Sequence, residues 1–163
     1  MTKATIKCKI IIYSLKGLII LKIKFKKLTE NAVAPTYGSK YSAGADLYAV
    51  EEVTIKPGET AIVHTGLALE IPNGYGGFVF ARSGLAAKRG LAPANKVGVI
   101  DADYRGEIMV SIYNQSGTPQ KVERGERIAQ LVIMPFLAAE YIETETLSDT
   151  ERGAGGFGST GTK

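Results

Sequence analysis

The chain has 163 residues, of which 45% are hydrophobic and 22% charged, an ordinary composition for one compact domain that excludes a disordered or fibrous protein. Its single cysteine, Cys8, cannot form an internal disulfide, and no Cys/His cluster has zinc-site spacing, so a reducing cytoplasm is the expected compartment. The formal net charge of +4 is unevenly spread: residues 1–27 carry eight lysines and no acid, which leaves twelve basic and sixteen acidic groups in residues 28–163.

Residues 1–20 form a basic and apolar N-terminal extension of unknown role. Its apolar stretch is interrupted by Ser14, Lys16 and Gly17 and is shorter than the roughly 20 residues that a membrane span needs. No small-x-small cleavage site follows it, which argues against a secretion signal. The lysines can attract nucleic acid or anionic lipid. A solvated extension or an artefact of start-site choice is the simpler interpretation, and no stable nucleic-acid or membrane partner is expected.

From residue 22 onward the sequence is typical of β-structure. Residues 22–26 alternate polar and apolar side chains with period 2, which predicts a half-buried strand. Turn signals then recur at intervals of about ten residues, and the runs between them are too short for a βαβ fold. Only residues 84–89 can hold a short helix. We therefore predict an all-β domain over residues 21–150, of the sandwich or jelly-roll type.

The glycine-rich tail, residues 151–163, is expected to be flexible. It formally matches a dinucleotide fingerprint and nearly spells a P-loop, but neither motif is followed by the helix that it needs. What remains is a strip in which Arg152, Ser159 and Thr160 offer groups suited to phosphate oxygens. A simply disordered tail is the alternative.

Three further features carry candidate chemistry. His64 is the only histidine and lies within a strand pattern without a second base of its kind, so we interpret it as structural. Asp101 and Asp103 flank a tight turn after an apolar strand, where a carboxylate is either a turn former or a general base. Residues 82–84, Arg-Ser-Gly, offer a guanidinium, a hydroxyl and free amides to an anion. Taken singly, each feature favours the structural interpretation.

Together, and in this order and spacing, these segments resemble the five motifs of the trimeric dUTPase family. The resemblance runs from about Leu21 to Gly161. The motifs are Ala43-Gly44-Ala45-Asp46-Leu47-Tyr48-Ala49; Arg82-Ser83-Gly84-Leu85; Asn95 followed by Gly98 to Gly106; Gly125-Glu126-Arg127-Ile128-Ala129-Gln130-Leu131; and Arg152 to Gly161.

The resemblance implies a fold, an assembly and a reaction. The fold is a distorted jelly roll of the β-clip type, and the assembly is a homotrimer whose active sites are each shared between subunits. The reaction is Mg²⁺-assisted hydrolysis of dUTP to dUMP and pyrophosphate by attack of water on the α-phosphate. Such a reaction keeps uracil out of DNA and supplies dUMP for dTMP synthesis.

The resemblance also implies roles for individual residues. Asp101 matches the carboxylate that activates water, and Asp46 matches the acid that holds Mg²⁺ through water. The matching phosphate ligands are Arg82, Ser83, Gly84 and Gln130, joined from the tail by Arg152, Gly158, Ser159 and Thr160. The matching nucleoside pocket comprises Asn95, Gly98, Val99, Ile100, Tyr104 under the deoxyribose, Met109, and Phe157 over the uracil.

These roles make chemical sense, because a triphosphate carries about four negative charges, and attack at phosphorus needs cations to neutralise it and one carboxylate to deprotonate water. Two other functions stay open at this point. A dCTP deaminase shares the fold, but no extra glutamate or arginine for deamination is apparent and the complete fifth motif fits the hydrolase better. A non-catalytic nucleotide-binding module, with the N-terminal extension as a nucleic-acid tether, would not need the intact Asp101.

Overall fold

A computed structural model describes residues 13–15 and 18–156. Within these ranges the chain is almost entirely β-structure with one short helix, which confirms the predicted fold class. In chain order the elements are β1 (Tyr13–Leu15), β2 (Leu18–Ile20), β3 (Lys24–Lys27), β4 (Thr36–Tyr37), β5 (Ala45–Tyr48), β6 (Val53–Ile55), β7 (Thr60–His64), β8 (Leu67–Glu70), β9 (Tyr75–Phe80), α1 (Ser83–Arg89), β10 (Leu91–Pro93), β11 (Gly98–Ile100), β12 (Met109–Asn114), β13 (Gln120–Val122) and β14 (Arg127–Pro135).

The larger sheet has five antiparallel strands in the order β11-β9-β14-β5-β4. The longest strand, β14, lies at its centre, between β9 and β5. The neighbours of β14 are far from it in sequence, so the sheet is held by long-range pairings rather than by local hairpins. This arrangement places segments of the first, second and fourth motifs side by side.

A second sheet, in the order β10-β12-β7, contributes to the same core, and the pairs β1-β2, β3-β8 and β6-β13 form separate two-stranded sheets. The core is aliphatic, and its side chains come from both sheets. Leu47, Val63, Leu67, Leu91, Ile112 and Ala129 are entirely buried in it. Burial of these side chains is the main favourable term for the fold.

The predicted strand at residues 22–26 is observed as β3, which begins two residues later and ends one residue later. Its apolar row is only partly covered, since Ile23 is half-buried whereas Phe25 is 48% exposed. The predicted helix is α1, which begins one residue early at Ser83 and ends at Gly90, whose φ of 65° is the left-handed conformation typical of a helix C-terminus. In the described part of the chain no helix is long and apolar enough to cross a bilayer.

Candidate active site

Asp46 is the centre of the first cluster of predicted site residues. Its side chain is 5% exposed, and both of its carboxylate oxygens accept from cationic or amide donors. Oδ1 accepts from Arg82 Nε at 2.9 Å and from Gln130 Nε2 at 3.5 Å, while Oδ2 accepts from Arg127 Nη1 at 3.3 Å. The cluster therefore holds two guanidinium groups and an amide around one buried carboxylate, which is a site rich in donors for anionic oxygens.

A β-bulge in β14 creates this cluster. Gln130 pairs with Asp46, but the register shifts between Arg127 and Ala129, so that Arg127 pairs with Tyr48. In a regular strand, residues three apart point to opposite faces of the sheet. The extra residue at the bulge turns Arg127 onto the face of Gln130, and hence toward Asp46.

Arg82 reaches the same face from β9. Phe80 pairs with Gln130 across the sheet, and Arg82 follows two residues later, just before α1. Its Nη1 also donates to the backbone oxygen of Arg127 at 3.1 Å, which fixes the two arginines side by side. Ser83 and Gly84 begin α1 and are exposed next to this guanidinium, with no side-chain cap on the helix.

The second cluster surrounds the end of β11. Asn95 approaches Gly98 closely: a Cβ on Gly98 would lie 3.3 Å from Asn95 Nδ2. Val99 and Met109 are exposed, and Asp101 follows Ile100 at the start of the Asp101 loop (residues 101–108). The carboxylate of Asp101 is exposed and has no hydrogen bond or ion pair to any residue that the structure describes.

In a hairpin the two strands that flank the Asp101 loop would pair with each other, but here they belong to different sheets. The preceding strand β11 pairs with β9, whereas the following strand β12 pairs with β7 and β10 in the other sheet. The loop therefore bridges the two layers of the fold. Sequence alone cannot reveal this difference, because both arrangements need the same turn residues between two apolar strands.

Tyr104 is the one aromatic residue of this loop, and both its hydroxyl and its ring are held by neighbouring residues. Its hydroxyl donates to the backbone oxygen of Glu107 at 2.9 Å, and its ring lies against Gly106, where a Cβ would overlap the phenol. The ring is nonetheless 42% exposed. The tyrosine thus presents a fixed, accessible ring face beside Asp101.

In one chain the two clusters lie far apart. Ile100 pairs with Gly77 near the beginning of β9, and the antiparallel register carries Asp101 toward Gly76, whereas Arg82 lies beyond the other end of β9. At about 3.3 Å per strand residue, the backbones of Asp101 and Arg82 are roughly 20 Å apart. A general base must come within hydrogen-bond reach of the water at the reacting phosphorus, so the predicted base and phosphate ligands of one chain cannot serve the same phosphate.

The remaining predicted residues belong to the tail. Arg152 lies in an exposed turn, where its Nε donates to the oxygen of Gly155 at 2.9 Å, and it makes no hydrogen bond or ion pair with the described residues of either cluster. Phe157, Gly158, Ser159 and Thr160 lie outside the described residues. Their roles, like the other site assignments, stay predictions.

The donor chemistry of the two clusters fits magnesium. This ion takes oxygen ligands and keeps several waters, so one or two carboxylates and the substrate phosphates are sufficient. No group of three or more His, Cys, Asp or Glu side chains in the described ranges could form a metal site by itself. Because both oxygens of Asp46 already accept hydrogen bonds, this carboxylate suits contact through water better than direct ligation.

Two contacts near the site are absent from the sequence prediction. Arg127 belongs to the fourth motif, but its position beside Asp46 depends on the bulge in β14, and no residue at that position predicts a bulge. Glu107 accepts from the backbone N–H of Gly66 at 2.8 Å and contacts His64 Nδ1 at 2.9 Å. His64 therefore has a structural partner at the base of the Asp101 loop.

The His64–Glu107 pair shifts both pKa values. The hydrogen bond to Glu107, followed by the negative charges of Glu107 and Glu51, raises the pKa of His64 above its usual value despite partial desolvation. Desolvation alone would raise the pKa of Glu107, but the hydrogen bonds from His64 and Gly66 lower it. The pair is therefore most strongly ionised, and most attractive, in weakly acidic solution.

His64→Gln should therefore cost more stability at pH 5.5 than at pH 8.5. A histidine whose folded pKa is raised contributes its extra stability below its unfolded pKa of about 6.5, and loses it as the pH rises through the folded pKa. Glu107, whose pKa is lowered, keeps its share throughout this window. Because the His64 side chain is 43% exposed, the pH-dependent part should stay below about 1 kcal/mol. Urea unfolding of both proteins at equal concentration measures it, and a stability gap that widens with rising pH would contradict the assignment.

Comparison with known proteins identifies the family of the chain. The profile of the dUTPase family matches residues 30–161. The deoxyuridine 5'-triphosphate nucleotidohydrolase of Nautilia profundicola is 54% identical over 141 residues, which are 86% of this chain and 99% of that protein. A mutant dUTPase of Staphylococcus bacteriophage 80alpha with dUpNHpp superposes with a TM-score of 0.81 at 32% identity, covering 86% of this chain and 99% of the other. A mutant dUTPase of phage phi11 of S. aureus, whose structure describes the coordination of a structural Mg(II) ion, has a TM-score of 0.70 at 29% identity over 77% and 97% of the two chains. This chain belongs to the dUTPase family.

Proposed function

We propose that the protein hydrolyses dUTP to dUMP and pyrophosphate. The observation that carries the proposal is the pair of guanidinium groups, Arg82 and Arg127, held with Gln130 on one face of the central sheet. Such a set of donors matches the charge and geometry of a polyphosphate. The names of the relatives, and the dUTP analogue in the related phage enzyme, supply the substrate class.

In this mechanism Asp101 acts as the general base. Its exposed carboxylate, without a partner among the described residues, is free to accept a proton from water. The water oxygen bonds to the α-phosphorus while the bond from that phosphorus to the oxygen bridging toward the β-phosphate breaks. Pyrophosphate leaves, and one proton passes to the Asp101 carboxylate.

Asp46 orders the phosphate ligands before the substrate binds. In the free chain, Arg82 and Arg127 donate to Asp46, so their side chains are already ordered before the substrate arrives. Their remaining N–H groups, with Ser83, Gly84 and Gln130, can donate to phosphate oxygens. Bound Mg²⁺ would neutralise phosphate charge, with Asp46 holding it through water. Preorganised donors of this kind reduce the cost of stabilising charge in the transition state.

The nucleoside is held at the other cluster. Asn95 and the backbone from Gly98 to Met109 form the uracil pocket, and Tyr104 packs under the deoxyribose. Phe157 covers the uracil, while Arg152, Gly158, Ser159 and Thr160 close over the phosphates. A ring fixed beneath C2' of the sugar leaves little room for a 2'-hydroxyl, which would favour dUTP over UTP.

The active site is shared in a homotrimer. The separation of roughly 20 Å between the two clusters supports this assembly, because one chain cannot place both at the same phosphate. The C-terminal arm (residues 136–150) supports it as well. Its side chains Leu137, Tyr141, Ile142 and Leu147 are between 80% and 96% exposed in the single chain. Apolar side chains left in water in this way are typical of a segment that packs on a neighbouring subunit.

The reaction takes place in the cytoplasm, where disulfides are rare, which fits a chain with a single cysteine. There dUTP competes with dTTP for incorporation into DNA. Removing dUTP keeps uracil out of DNA, and the product dUMP feeds dTMP synthesis. The N-terminal extension is not needed for this chemistry, because the motifs begin after it.

Pyrophosphate release from dUTP, dTTP, dCTP, dATP, dGTP and UTP, with Mg²⁺ and with EDTA, tests the proposal. We expect dUTP to be preferred over every other nucleotide by at least roughly 10²-fold in kcat/KM, and EDTA to abolish the reaction. Ammonia release from dCTP is measured in parallel. Deamination of dCTP, or tight dUTP binding without turnover, would overturn the hydrolase assignment.

A further inference from the structure

Glu107 occupies a special position in the Asp101 loop because it is held by both its side chain and its backbone. The side chain is bound to the last residue of β7 and to the connection that follows this strand. Its Oε2 lies 2.9 Å from His64 Nδ1, and its Oε1 accepts from the N–H of Gly66 at 2.8 Å. The backbone oxygen of the same residue accepts the hydroxyl hydrogen of Tyr104 at 2.9 Å. Any displacement of Glu107 is therefore passed directly to Tyr104.

The neighbouring contacts leave Tyr104 few alternatives. Gly106 lies flat against its ring, so the phenol cannot move toward the loop backbone. The next residue, Ile108, is fixed by two further hydrogen bonds, from Thr65 Oγ1 at 2.5 Å and to the oxygen of Leu67 at 2.7 Å. These bonds hold the loop end regardless of the Glu107 side chain. The carboxylate of Glu107 is thus the group that ties the hydrogen-bond partner of Tyr104 to the end of β7.

We infer that Glu107 and His64 are positioning residues for sugar recognition: they hold the Tyr104 ring at the distance from the bound sugar that accepts a deoxyribose and rejects a ribose. The inference rests on the proposed function for its substrate. Neither residue touches the nucleotide. Their effect reaches it only through the hydrogen bond between the Tyr104 hydroxyl and the Glu107 backbone.

The test compares kcat/KM for dUTP with kcat/KM for UTP. In Glu107→Ala, loss of the anchor should lower the dUTP/UTP ratio roughly tenfold, mainly through a gain for UTP and a higher KM for dUTP. Glu107→Gln should stay within about twofold of the wild-type ratio, because its amide oxygen still accepts from Gly66. The control Glu59→Ala removes an exposed ion pair with Lys56 at the end of β7 opposite to His64, and should not change the ratio.

A double-mutant cycle distinguishes positioning from general loop stability. Tyr104→Phe removes the hydroxyl that carries the effect, so Glu107→Ala in that background should not lower the ratio further. A wild-type ratio in Glu107→Ala, or a loss that is fully additive to that of Tyr104→Phe, would overturn the inference. If Glu107→Ala does not fold, His64→Gln carries the same cycle with a smaller expected loss.

Amide hydrogen exchange gives a readout that does not need turnover. Exchange in residues 101–106 should be faster in Glu107→Ala than in wild type, and unchanged in Glu59→Ala. If wild-type protein does not hydrolyse dUTP, the proposed function fails while this comparison still decides whether Glu107 holds the loop. Equal exchange in Glu107→Ala and wild type would remove Glu107 as the anchor.

Discussion

Asp101→Asn should lower kcat for dUTP hydrolysis by about 10²–10⁴-fold while leaving the fold and dUTP binding intact. The amide has nearly the same size and shape as the carboxylate, but it cannot accept a proton from water at neutral pH. Because the wild-type side chain is exposed and makes no hydrogen bond to a described residue, the substitution should not destabilise the loop. Steady-state kinetics and equilibrium binding of a non-hydrolysable dUTP analogue measure the two effects separately.

Asp103→Asn is the matched control for this experiment. Asp103 lies two residues further along the same exposed loop and carries the same charge, but it has no assigned role. Its substitution should change kcat by less than about threefold. Equal losses in the two variants would show that the charge of the loop matters rather than a base at one position. An unfolded Asp101→Asn would show instead that Asp101 is a turn former.

Two inactive variants should restore activity to each other if the active site is shared. Asp101→Asn retains the tail but lacks the base, whereas a truncation after Thr150 retains the base but lacks the tail. When the two chains are unfolded together and refolded in equal amounts, each site takes its Asp101 loop and its tail from different subunits. About a quarter of the sites (½ × ½) should then contain both intact parts, given random mixing in a closed trimer.

The expected result is turnover near this fraction of wild type in the mixture and almost none in either variant refolded alone. The control replaces one partner by a chain that carries both defects, which should give no recovery. Native mass spectrometry establishes that mixed trimers have formed. If mixed trimers show no activity, the site is contained in one chain or the tail has another origin, and the assembly proposed above is wrong.

The separation of roughly 20 Å between Asp101 and Arg82 in one chain is a second, independent reason to expect a site shared between subunits. Both residues are identified by local patterns, a carboxylate after an apolar strand and a guanidinium before a short helix. Their distance depends on the register between β11 and β9, which no local pattern contains. This register places the two predicted site segments far apart in one chain, which supports the proposed assembly.

The amino-acid sequence by itself determined the fold class, a short helix predicted at residues 84–89, and the family, because hydrophobic period, turn residues and motif spacing are local properties. It also singled out the residues of both clusters, although their roles await the experiments above. Only the tertiary structure decided that Arg127 faces Asp46, since one bulge reverses the side to which a strand residue points. It alone decided that Glu107 joins His64, Gly66 and Tyr104, because these contacts link the Asp101 loop to the end of β7 and to the connection between β7 and β8, and their approach depends on how the strands pack. Side-chain partners of this kind are set by long-range packing. They depend on residues throughout the chain and cannot be predicted from any one position.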